Sequence, residues 1–78
     1  MSTREHNERK FPFWETLEHG GRQYRLDVQG RQGWMARYVK EVDASETTMR
    51  FYQEIYDDTG QLVEIHQKYP IDLGHQKV

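Results

Sequence analysis

The chain has no cysteine, which removes disulfides, thiolate zinc sites, iron–sulfur clusters and cysteine nucleophiles from consideration. It has only two prolines, Pro12 and Pro70, so the long stretch between them is punctuated by glycine and short polar turns alone. No apolar run approaches the ~18 residues that cross a bilayer as a helix, and there is no signal-peptide core. No membrane partner is expected, and a cytoplasmic location is the default reading. Neither sign of charge dominates. Lys and Arg number 11 against 13 Asp and Glu, for a net charge of −2 and a pI near 6.0. That balance argues against a strongly basic nucleic-acid binder and leaves a local patch open. No Walker-type or dinucleotide-binding glycine motif occurs. Ser45, the one serine beyond the N-terminal segment, has no histidine near it in sequence for a Ser-His-Asp arrangement. No cofactor is expected, and no internal repeat is present.

What is present is aromatic and polar. The hydrophobic fraction is 35%, the charged fraction 31% and the aromatic fraction 13%. The aromatic content is too high for a typical disordered chain. Seventy-eight residues suit one small domain, which is marginal unless well packed or oligomeric. Residues 1–10 are almost wholly polar without period and read as a disordered arm. Residues 11–78 read as a single β domain, with a C-terminal tail from Pro70 onward.

Within that domain the period is two. Tyr24, Leu26 and Val28 alternate with Arg25, Asp27 and Gln29, as in a half-buried strand. Trp34–Val42, Arg50–Tyr56 and Leu62–Tyr69 repeat the pattern. Hairpin turns are expected near 19–22, 30–33, 43–46 and 57–60. For residues 12–19 a strand is preferred over a short helix led by Pro12, which would make the class α+β. The fold class predicted is therefore all-β, a small antiparallel meander of four or five strands.

The turn Asp57-Asp58-Thr59-Gly60 sets a register. Asp57 suits the first position of a type I turn and Gly60 the bulge position after it. Tyr56 then pairs with Leu62, Ile55 with Val63, Gln53 with Ile65 and Tyr52 with His66. Similar reasoning pairs Leu26 with Tyr38, Tyr38 with Phe51, and Val42 with Thr47. One face collects Tyr24, Leu26, Val28, Trp34, Ala36, Tyr38, Met49, Phe51, Ile55, Val63, Ile65 and Tyr69 as the predicted core. One sheet cannot bury a face against itself, so a terminal segment, a barrel closure or a second subunit must cover it.

The opposite face gathers Arg37, Arg50, Tyr52, Glu54, Tyr56, Leu62, Glu64, His66 and Lys68. Two uses are open. In the preferred one, Tyr52, Tyr56, Leu62, Arg37 and Arg50 form a protein-binding patch on a non-catalytic module that self-associates, since Tyr offers large area with few rotors. In the alternative, His66 with Glu54 or Glu64 does acid–base chemistry on RNA while Arg50 and Lys68 hold phosphate. Glu54, Glu64 and His66 as metal ligands are disfavoured, because a Glu-x-His spacing alone is a weak signal. Asp72 and His75 are close in sequence around Gly74, yet a turn in which Asp72 accepts backbone N–H groups accounts for them. No motif ties the sequence to a known family.

Overall fold

The computed structural model describes residues 3–78. The residues expected to form a disordered arm instead contain a helix, α1 (Arg4–Lys10); Met1 and Ser2 lie outside the described residues. Thr3 caps it by accepting the His6 N–H at 3.1 Å. Glu5 sits in the first turn and Arg9 and Lys10 in the last, the arrangement that complements the helix dipole. Seven residues cannot hold a helix alone. What holds this one is Asn7, fully buried against the sheet. Asn7 donates to Glu46 Oε2 at 3.0 Å and accepts from Lys40 Nζ at 2.9 Å. Polar composition concealed a docked helix because its anchor is an amide rather than an apolar side chain.

The remainder is the expected antiparallel meander, with six strands: β1 (Phe13–Thr16), β2 (Arg22–Gln29), β3 (Met35–Val42), β4 (Thr48–Tyr56), β5 (Leu62–Tyr69) and β6 (Gly74–Lys77). They lie in one sheet in sequence order. The segment after Pro12 is a strand. The sixth strand comes from the C-terminal stretch read as a tail; it pairs with β5, His75 lying opposite His66.

The first turn falls earlier than expected. Leu17 N–H bonds to Gly21 O at 2.8 Å, so the loop spans Leu17–Gly20 rather than 19–22. Gly20 takes the positive φ of +88°, while Gly21 presses so closely on the Val42 carbonyl that no side chain fits. At the second turn the Gly30 N–H bonds to Trp34 O at 2.7 Å. Gln32 and Gly33 both have positive φ there, which marks a type I′ rather than a type I turn.

Register departs from expectation at three bulges. The β2–β3 register is the expected one, with Leu26 opposite Tyr38. Between β3 and β4 Val42 faces Thr48 rather than Thr47, and beyond a bulge Tyr38 faces Gln53, not Phe51. Between β4 and β5 the expected Tyr56–Leu62 pair forms. Ile55 then faces Glu64, skipping Val63, and the next pairs are shifted: Glu54 faces Ile65, Gln53 faces His66 and Tyr52 faces Gln67, until a second bulge skips Lys68 and sets Phe51 opposite Tyr69. The bulge at Val63 reverses which side chains of β5 share a face with β4.

The resulting sheet has one face under α1, the helix face, and one open face. On the helix face Phe11, Tyr24 and Val42 form the buried core, with Leu26, Tyr38 and Phe51 packed against it. Burying side chains such as Phe11 and Tyr24 contributes about 1.5–3 kcal/mol each. This core is smaller than the predicted list. Val28, Trp34, Met49 and Tyr69 are each more than 40% exposed, and Ile65 turns to the open face with Glu54.

Glu46 ties helix to sheet. Its side chain is buried, and it accepts from Asn7, from Tyr24 Oη at 2.9 Å and from Arg4 Nε at 3.3 Å. Burial pushes its pKa up. The hydrogen bonds from Asn7, Tyr24 and Arg4 outweigh that and hold it below the ordinary carboxylate value. The carboxylate is thus charged, buried and fully engaged.

Candidate functional site

The open face is the strongest candidate site, because it concentrates aromatic and charged side chains that the fold leaves partly exposed. Alternation along the paired strands puts one arginine and one carboxylate of each central strand on it: Arg25 and Asp27 from β2, Arg37 and Glu41 from β3, Arg50 and Glu54 from β4. Tyr52, Tyr56 and Leu62 share this face through the pairs Val39–Tyr52 and Tyr56–Leu62. All five residues expected to bind protein, Arg37, Arg50, Tyr52, Tyr56 and Leu62, therefore sit together.

They are also ordered by one another. The Arg50 guanidinium carbon lies 4.2 Å from the Tyr52 ring centroid, and that of Arg37 lies 5.4 Å from the Tyr56 ring. Arg37 Nε donates to Asp27 at 2.8 Å, and Tyr56 Oη donates to Glu54 at 3.1 Å. Such arginine–aromatic contacts contribute about 0.5–1 kcal/mol at exposed sites and bias both partners toward these rotamers. Val39 lies between Arg25 and Tyr52 in register and is only 2% exposed. Long side chains lying over the sheet shield it. Beside it, Phe13, Arg25, Asp27 and Arg37 line a shallow hollow of about 200 Å³, with Phe13 58% exposed at its edge.

The electrostatics suit recognition better than proton transfer. Burial raises the Tyr52 pKa, and Glu41 and Glu54 raise it further against the lowering effect of Arg50. Burial likewise raises Tyr56, helped by Glu54. Both hydroxyls stay protonated at neutral pH and act as hydrogen-bonding groups.

The proposed acid–base set does not assemble. The skipped Val63 sends Glu64, His66 and Lys68 to the helix face, away from Arg50, Tyr52 and Glu54. Lys68 Nζ lies 5.1 Å from the Tyr38 ring. His66 meets a group that the sequence reading did not give it: Nε2 lies 2.7 Å from Asp72 Oδ1. His66 and His75 contact ring to ring at 4.4 Å, and His75 Nδ1 is 3.8 Å from Glu64. Asp72 also accepts the Gly74 N–H at 2.8 Å, the turn role expected of it. That bond, and then His66, hold its pKa low. Asp72 thus joins His66 rather than His75, and its bonds brace the β5–β6 hairpin. Glu54 and Glu64 lie on opposite faces, so the metal set weighed from sequence does not converge. Among the described residues no group of three or more His, Asp or Glu is placed to hold a metal ion.

Sequence reasoning missed Asn7, Tyr24, Lys40 and Glu46 as a polar cluster. One signal was present: Asp-Ala-Ser-Glu at 43–46 occupies the same turn pattern as Asp-Asp-Thr-Gly at 57–60, with glutamate where glycine belongs. Among the described residues no helix is long and apolar enough to cross a membrane. No protein-family model, curated protein or solved structure matches the chain.

Proposed function

We propose that the protein is a small non-catalytic interaction module, of cytoplasmic location, that self-associates through its open face. The observation that carries this reading is the pair of arginine–tyrosine contacts set side by side on that face, Arg50 on Tyr52 and Arg37 on Tyr56. Tyrosine and arginine are enriched among the residues that carry protein contacts, and here each arginine already lies against a tyrosine ring. The charge pattern favours a second copy as the partner. Each of β2, β3 and β4 contributes one arginine and one carboxylate, so these three strands carry no net charge on this face and can meet a second copy about a two-fold axis with opposite signs facing. The exposed Phe13 ring and the hollow beside it offer a knob and a recess in the same patch. A small domain with so few buried side chains also gains from the added burial.

Sedimentation equilibrium tests the reading. Wild type is expected to reach a mass about twice the 9.5 kDa of the chain at micromolar concentration. Tyr52→Ala is expected to weaken association about thirtyfold, the scale of a hot-spot truncation. A wild type that stays monomeric at high micromolar concentration overturns it. RNA binding at low salt by that monomer would then favour the nucleic-acid alternative.

A further inference from the structure

The helix face carries a second concavity, unrelated to the proposed interface. It is a pocket of about 470 Å³ between the C-terminal end of α1 and the start of β4, within the size range of small-molecule sites. Its walls are aromatic: Phe11, Phe51 and Tyr69, with Phe51 and Tyr69 directly paired across β4 and β5. Its polar groups are mainly Lys10 and Lys40, with the hydroxyls of Thr47 and Thr48. Lys68 does not line the pocket; its Nζ lies over the Tyr38 and Phe51 rings, 5.8 Å from the latter.

In a chain of net charge −2, two lysines lining one aromatic pocket run against the overall balance. Glu46 also lines the pocket, but its carboxylate is engaged with Asn7, Tyr24 and Arg4. Lys40 donates to Asn7 Oδ1 at 2.9 Å. Burial lowers the Lys40 pKa, and repulsion from Lys10 lowers it further against the opposing pull of Glu46. An anion placed between Lys10 and Lys40 relieves that repulsion, while a flat ring fills the space beside Phe51 and Tyr69.

We propose that this pocket binds a small organic anion with a planar ring, of the size and chemistry of a nucleoside monophosphate. The ring stacks on the aromatic wall, and the lysines and threonine hydroxyls hold the anionic group.

The test is a titration of the full chain at low salt, followed by calorimetry and by amide shifts in ¹H–¹⁵N spectra. The probes are AMP and naphthalene-1-sulfonate, with adenosine and inorganic phosphate as the two halves of the chemistry. Saturable one-site binding of at least one anionic probe is expected, with shifts centred on Phe11, Thr48, Phe51 and Tyr69. Adenosine and phosphate are each expected to bind at least about tenfold more weakly, as is the probe to Lys10→Glu. Lys10 is exposed, so this variant should keep the wild-type spectrum. Arg50→Gln, on the opposite face, is expected to bind as wild type does. Absence of saturable binding by both anionic probes overturns the proposal. So does adenosine or phosphate binding as tightly as the probe, or unchanged affinity in Lys10→Glu, or loss of binding in Arg50→Gln.

Discussion

The turns Asp43–Glu46 and Asp57–Gly60 are the same turn built twice. In each, the leading aspartate N–H bonds to the carbonyl four residues on, at 3.0 Å, and the fourth N–H returns to the aspartate carbonyl, also at 3.0 Å. In each, one aspartate oxygen accepts two further backbone N–H groups: Ser45 and Thr47 for Asp43, Thr59 and Gln61 for Asp57. The fourth residue has positive φ in both, +86° at Gly60 and +64° at Glu46. The difference is what stands there. Gly60 meets no left-handed penalty and has open space around it. Glu46 takes a conformation costing a non-glycine residue about 1–2 kcal/mol. It persists because its carboxylate is the common acceptor for Asn7, Tyr24 and Arg4. One turn only reverses the chain, while its twin docks the helix.

The largest expected effect comes from deleting that function. Glu46→Ala leaves the buried Tyr24 hydroxyl and Asn7 amide without their acceptor and keeps the backbone penalty; a loss of about 3 kcal/mol in urea denaturation is expected. Glu46→Gly should lose about 1 kcal/mol less, since only the backbone term is recovered. If Glu46→Gly proves more stable than wild type, the network does not offset the strain and the contrast between the turns collapses. Tyr24→Phe removes a single bond to a charged acceptor and is expected to cost about 1.5–3 kcal/mol. Gly60→Ala isolates the backbone term, because nothing crowds the new methyl; about 1 kcal/mol is expected, with amide shifts confined to the β4–β5 turn.

The smallest effect at neutral pH is the most specific one. Glu46 has a depressed folded pKa, so its stabilisation is fully present above the unfolded carboxylate value, near 4.5. It is lost as pH falls through the folded value. Stability measured from pH 6 down to pH 2 should therefore fall less steeply in Glu46→Gln than in wild type. Equal slopes would mean that Glu46 is not a charged acceptor in the folded protein.

The sequence carries the fold class plainly and the site unevenly. Aspartate and glycine at the turns act through local backbone geometry, so Asp57–Gly60 and the Tyr56–Leu62 pair beyond it were readable. The open-face patch was readable too, since Arg37, Arg50, Tyr52 and Tyr56 belong to β3 and β4, whose face assignment survives the bulge at Val42. What lies past Val63 was not readable. No glycine or proline marks that position, and an unbroken strand and a bulged one share the same alternation of residues. Helix α1 was hidden for a different reason. Its seven residues are held by long-range hydrogen bonds to Glu46 and Lys40, which no local period records.

Val63 is left out of the β4–β5 ladder, although its carbonyl accepts the Val78 N–H at 3.0 Å. Surface identity downstream of it depends on whether the count of residues is odd or even, not on which residues they are. Deleting Val63 alone would remove the extra residue and leave Ile55 opposite Glu64, so Glu64, His66 and Lys68 would keep the helix face; keeping Val63 in an unbroken ladder would instead carry them across to the side of Arg50 and Tyr52. One sequence is thus compatible with two different surfaces, and the bulge selects between them.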